Sequence, residues 1–126
     1  MLPLSERLKD RYTFNLIFKK KNKLTSSHFI LYYLLHNNKD INKLNNALLM
    51  PKVAFVVGVK IDKRATVRNS IKRRMREAYR LIRKKYIDLK KVNIRALVWI
   101  ATPSMKNATF EEAKNSMESM LRKLRQ

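Results

Sequence analysis

The chain has 126 residues, 30 Lys or Arg against 9 Asp or Glu, and no cysteine, for a formal net charge of +21. That length closes one hydrophobic core without staples, and the missing thiols exclude a disulfide framework, thiolate metal sites and a cysteine nucleophile. A 45% hydrophobic share marks a folded body rather than a basic tail, so the charge points to nucleic acid or an anionic surface.

The amino terminus MLPLSERLKD has no apolar run of signal-peptide length and no segment approaches a membrane span, so the expected location is the cytoplasm. From Glu6 to Lys20, Leu8, Tyr12, Leu16 and Ile17 recur at helical spacing, with Phe14 and Phe18 four apart on an adjoining stripe. The spacing predicts a helix, which Lys19-Lys20-Lys21-Asn22-Lys23 closes with cations at its negative end. His28 to Leu35 (HFILYYLL) is apolar on both faces and reads as a strand covered on both sides. The Asn-rich stretch 36–50 has no period and reads as a loop. Lys52 to Ile61 (KVAFVVGVKI) is a β-branched second strand, with Gly58 marking a bulge or a close backbone approach. Thr66 to Tyr86 is an amphipathic helix whose apolar face carries Val67, Ile71, Met75, Ala78 and Ile82. Val92 to Ala101 is a third strand with Val92, Ile94, Ala96, Val98 and Ile100 on one face, ended by Pro103. Thr109-Phe110-Glu111-Glu112 is a capping box. It opens a last helix whose stripe is Phe110, Ala113, Met117, Met120, Leu121 and Leu124.

The order helix, strand, strand, helix, strand, helix makes residues 1–126 a single domain of the α+β class, a two-layer α/β sandwich. General chirality rules make the crossover through the basic helix right-handed.

Residues 60–91 hold fourteen Lys or Arg against Asp62, Glu77 and Asp88, a net +11. Arg64, Arg68, Lys72, Arg76 and Arg80 recur every fourth position, which on a helix stacks them about 6 Å apart in one nearly axial row. Like charges so placed repel, and a polyanion along the row replaces repulsion with attraction. A membrane-surface helix fits poorly, because its free face would carry Trp, Phe or Leu, and here the apolar face is needed to cover the strands. The order R-N-x-x-K-R-x-x-R-E, from Arg68 to Glu77, resembles the protein subunit of bacterial ribonuclease P. Arg68, Asn69, Lys72, Arg73, Arg76 and Glu77 match the family motif. Ser70 stands where that motif has a second Arg, and Thr66 where it has Val. The likeness extends to Lys63-Arg64-Ala65, to Arg7-Leu8 ahead of Phe14 and Phe18, to Phe29-Ile30-Leu31-Tyr32, and to the terminal helix.

The resemblance implies a ribosomal-protein-domain-like fold with a left-handed βαβ crossover, against the general rule. It implies that Arg64, Arg68, Asn69, Lys72, Arg73, Arg76 and Arg80 bind a catalytic RNA. Periodicity alone assigns Phe14, Phe18 and Tyr32 to the core; the resemblance assigns them to a cleft for the single-stranded 5′ leader of precursor tRNA, where stacking on unpaired bases tolerates any sequence. Lys60 is expected on the neighbouring strand, near a leader phosphate. Asn69 also suits a helix start, but its place in the motif favours RNA positioning. His28 reads as a strand-end or surface histidine and Trp99 as a packing residue.

No D-x-D, H-x-H or E-x-x-H spacing occurs among the nine carboxylates and two histidines, so no catalytic residue or metal site is expected in the protein itself. By resemblance the partner RNA performs Mg2+-dependent hydrolysis, and the protein joins it in removing 5′ leaders from precursor tRNA. The partners are then the catalytic RNA and precursor tRNA, with no membrane and no obligate protein partner. The rival reading is a ribosomal or general RNA-binding protein with no part in cleavage; an autonomous nuclease is disfavoured.

Overall fold

The computed structural model describes residues 7–9, 11–35, 51–86 and 94–125. Its elements are α1 (Arg11–Lys20), β1 (Lys23–Thr25), β2 (Phe29–Leu35), β3 (Lys52–Val56), α2 (Ala65–Tyr86), β4 (Ile94–Ala101), a 3₁₀ segment (Pro103–Asn107) and α3 (Phe110–Arg125). The loop read at 36–50, the helix start at Glu6 and Val92 lie outside the described residues.

The sheet order is β1-β2-β4-β3. β1 and β4 flank β2 antiparallel, and β3 joins β4 in parallel, from Lys52 opposite Ala96 to Val56 opposite Ile100. A parallel neighbour cannot be reached by a tight turn, so the chain crosses over through α2 between them. Side chains alternate across each strand. Leu31, Val53, Leu97 and Trp99 therefore face α2 and α3 in one buried cluster, while Leu34, Ala96 and Val98 meet Leu8 and Ile17 in another, under α1. The α+β sandwich is as the sequence implies: sheet against the α2–α3 pair, with α1 as a short cover on the far face.

The middle of α2 buries Ile71, Met75, Ala78, Tyr79 and Ile82, with Val67 half-buried. The middle of the helix is tied by Arg74, whose Nη1 donates to the Ala108 carbonyl at 2.9 Å. In α3, Ala113, Met117, Met120 and Leu121 are buried, with Phe110 and Leu124 half-buried beside them. The capping box is formed: the Glu112 amide donates to Thr109 Oγ1 at 3.1 Å and the Thr109 amide to Glu112 Oε1 at 3.2 Å. Trp99 is fully buried and packs edge-on against Phe29, ring centroids 5.7 Å apart.

Five details differ from the sequence reading. Lys23 does not close α1 but opens β1; Lys21, at φ 58°, turns the chain between them. Tyr12 is 68% exposed, and Thr13 is buried beside Ile17 instead. β3 ends at Val56, so Gly58 lies past the strand in open space, and a Cβ there would touch nothing within 4 Å. The α2 helix starts at Ala65, which leaves Arg64 just outside it. Finally, Ile94 packs with Leu97 and Trp99 rather than with Ala96 and Val98. A register shift between Leu34 and Leu35 inserts a residue into the alternation, which flips the face of everything beyond it.

Candidate RNA interface

An α-helix advances about 100° per residue, so a four-residue repeat drifts about 40° per step and winds off any one face. The cation row of α2 does this. Arg68, Lys72 and Arg76 are half-buried along the flank beside the buried stripe, whereas Asn69, Arg73 and Arg80 are exposed on its back. The single axial row expected from the spacing is therefore two surfaces, a flank and a back, and Arg68 and Lys72 do not lie opposite the packing face.

Some of these cations already have partners. Arg64 precedes the helix and grips Asp62, with Nε 3.1 Å from Oδ1 and Nη2 3.0 Å from Oδ2. Arg68 folds back to donate from Nη1 to the carbonyls of Asp62 and Lys63, both at 3.2 Å. Arg80 pairs with Glu77 one turn earlier, Nη2 to Oε2 at 3.1 Å, which holds the Glu77 carboxyl below its usual range through the Arg80 hydrogen bond. An exposed pair of this kind is worth little and yields readily to a phosphate. Lys60 is exposed in the turn after β3, not on a strand, because β3 has ended four residues earlier.

The early aromatics do come together. Phe14 and Phe18, one turn apart on α1, have ring centroids 6.1 Å apart at 27°. Phe18 meets Tyr32 of β2 edge-on at 4.8 Å. Phe18 is 37% exposed, and Phe14 and Tyr32 are half-buried against the Leu34–Val98 face of the sheet. They cover the core edge and present ring surface to solvent at once.

A hollow of about 380 Å³ lies between these two surfaces. Arg7, Lys9, Lys72 and Arg76 stand on its walls, and Leu8, Phe14, Ala54 and Phe55 supply apolar lining. The Leu8 amide donates to the Val53 carbonyl at 2.9 Å, which fixes the segment before α1 along the outer edge of β3. Arg7 and Lys9 were not singled out as site residues by sequence reasoning. Their signal was the Arg7-Leu8 pair, which only the β3 contact turns into a wall of the hollow.

Among the described residues no three His, Cys, Asp or Glu side chains group to hold a metal ion, and no helix is long and apolar enough to cross a membrane. Three of the carboxylates have structural duties: Asp62 with Arg64 and Lys106, Glu77 with Arg80, and Glu112 in the α3 cap.

The sequence profile of the ribonuclease P family matches residues 2–125. The chain belongs to the ribonuclease P protein family. It is 26% identical to the ribonuclease P protein component of Alkaliphilus metalliredigens, over 96% of this chain and 95% of that one. To the Staphylococcus aureus component it is 28% identical, over 97% and 91%. The ribonuclease P protein of Thermotoga maritima superposes with a TM-score of 0.70 at 24% identity, covering 94% of this chain and 96% of that one. That of S. aureus gives 0.67, also at 24%, covering 93% of each. These two likenesses carry the fold, and the profile carries the family. The role of the ribonuclease P family is tRNA 5′ processing, as a protein component that works with the ribonuclease P RNA, and a ribosomal or general RNA-binding role is not favoured.

Proposed function

We propose that α2 and the residue before it hold the catalytic RNA, through Arg64, Arg68, Asn69, Lys72, Arg73, Arg76 and Arg80, and that Phe14, Phe18 and Tyr32 meet the 5′ leader of precursor tRNA. Lys60, in the exposed turn after β3, is a phosphate contact at the border. The RNA carries the hydrolysis and its Mg2+; the protein positions. The observation that supports this reading is the hollow, because Lys72 and Arg76 on one side and Phe14 on the other line the same cavity. An RNA strand leaving the cationic flank of α2 through the hollow meets Phe14, whose ring neighbours Phe18. Phosphates take the cations, with release of counterions, and unpaired bases take the rings.

The test is cleavage of precursor tRNA in Mg2+ by purified protein, by the large RNA, and by both. Protein alone should be inert, and protein should raise correct 5′ cleavage by the RNA at low salt. Specific cleavage by RNA-free protein, or no gain on adding protein to the RNA, refutes the reading.

A further inference from the structure

A carboxylate is buried inside the most basic region of the fold. The Asp62 side chain is only 7% exposed, and both of its oxygens are fully engaged. Oδ1 accepts the Arg64 amide at 2.8 Å and Arg64 Nε at 3.1 Å. Oδ2 accepts Arg64 Nη2 at 3.0 Å and Lys106 Nζ at 3.1 Å. Lys106 comes from the 3₁₀ segment beyond β4, far away in sequence. The Asp62 carboxyl is held far below the usual carboxylate range, first by the Arg64 side-chain hydrogen bond, then by the Arg64 amide and Lys106. It is therefore an anion at every pH at which RNA would be bound.

An acid whose only task was to dilute positive charge would sit in solvent, since burying a carboxylate costs free energy unless its partners are well placed. Here the geometry does more than neutralise. The two-pronged contact fixes the plane of the Arg64 guanidinium, whose Nη1 side is left pointing away from Asp62. The same carboxylate draws Lys106 alongside. Arg64 remains 70% exposed and Lys106 43% exposed, so both present their outer donors to solvent. An ammonium has three donors and a guanidinium five, more than Asp62 consumes.

We propose that Asp62 is a positioning residue for RNA binding: it sets Arg64 and Lys106 side by side as one phosphate-contacting pair at the foot of α2, which adds the 3₁₀ segment to the RNA-binding face. The proposal rests on the reading of α2 as the RNA-binding helix. It makes a prediction opposite in sign to bulk electrostatics. Asp62→Asn raises the net charge by one, which on charge alone tightens the grip on a polyanion. Positioning requires weaker binding, because the two cations lose their common anchor.

The experiment uses the full chain and the transcribed ribonuclease P RNA, with affinity measured across a salt series and thermal melting of each variant. Asp62→Asn should weaken binding by about three- to tenfold, in the lower part of the range of a lost coupling between contacting residues, and Asp62→Glu should recover part of it. Lys106→Ala should reduce the slope of log affinity against log salt by about 1 while the variant remains folded at the assay temperature, and should add little in the Asp62→Asn background. Equal or tighter binding by a folded Asp62→Asn, or an unaltered slope for Lys106→Ala, overturns the proposal. If Asp62→Asn melts below the assay temperature, Lys106→Ala alone decides. Arg73→Ala separates the two levels of the argument: if it weakens binding while Asp62→Asn and Lys106→Ala do not, only this inference fails, and if none of the three has an effect, the α2 reading fails with it.

Discussion

Truncating Phe18 to Ala separates leader contact from core packing, because the ring packs against Phe14 and Tyr32 yet is partly open to solvent. It is 37% exposed, and its firmest neighbour is Tyr32, edge-on at 4.8 Å. Complete burial of a Phe side chain is worth up to about 3 kcal/mol, and an aromatic pair adds about 0.5 to 1.5 kcal/mol. With over a third of the residue exposed, the expected stability cost is about 2 kcal/mol, below the 3 to 5 kcal/mol of a fully enclosed Phe. A leader base stacked on the open ring face contributes about 1 to 3 kcal/mol, and only when a leader is present. Precursor tRNA should thus bind the assembled ribonucleoprotein about 5- to 150-fold more weakly, while mature tRNA is unaffected. The assay is equilibrium binding of both tRNAs to the complex built with wild-type or variant protein, alongside the melting curve of the variant. Equal losses for the two tRNAs, with a stability loss of the fully buried size, refute the leader contact and return Phe18 to the core.

Neighbouring cations on α2 should behave in opposite ways. Arg73 is exposed on the back of the helix, so Arg73→Ala should lower the salt slope of RNA binding by about 1 and leave the melting temperature alone. Arg74 donates to the Ala108 carbonyl, so Arg74→Ala should lower the melting temperature and leave the slope alone; a shared phenotype refutes the division. The α3 cap carries an acid limb of stability. The Glu112 carboxyl lies below its ordinary value of 4.5, first through the Thr109 amide, then the Thr109 hydroxyl and nearby His28. A depressed acid contributes stability that is present above its ordinary pKa and lost as pH falls through the folded one. Glu112→Gln keeps a capping side chain but cannot titrate, so its melting deficit at neutral pH should shrink below about pH 4.5. A constant deficit from pH 7 to 3 refutes this. Thr109→Ala should cost about 1 kcal/mol at neutral pH, the usual worth of an N-cap, read by denaturant melts.

Interactions closed within about one helical turn were legible in the chain itself. The buried stripes of α2 and α3, the Thr109–Glu112 box and the cores of β2, β3 and β4 follow from spacing, because each partner lies within four residues or on an alternating face. The family motif from Arg68 to Glu77 was legible for the same reason, as was the pairing of Phe14 with Phe18. What the fold decided is whatever depends on a distant partner. β1 has three residues and no periodicity of its own, and exists because β2 offers it hydrogen bonds. Ile94 changed faces through a register shift against Leu35, and Lys60 left the strand because β4 pairs with β3 only as far as Val56. Asp62 is one of three acids in a basic run; Lys106, from the 3₁₀ segment after β4, is a partner that no local pattern could show, since a carboxylate shielded from water is stable only where the folded chain places cations around it.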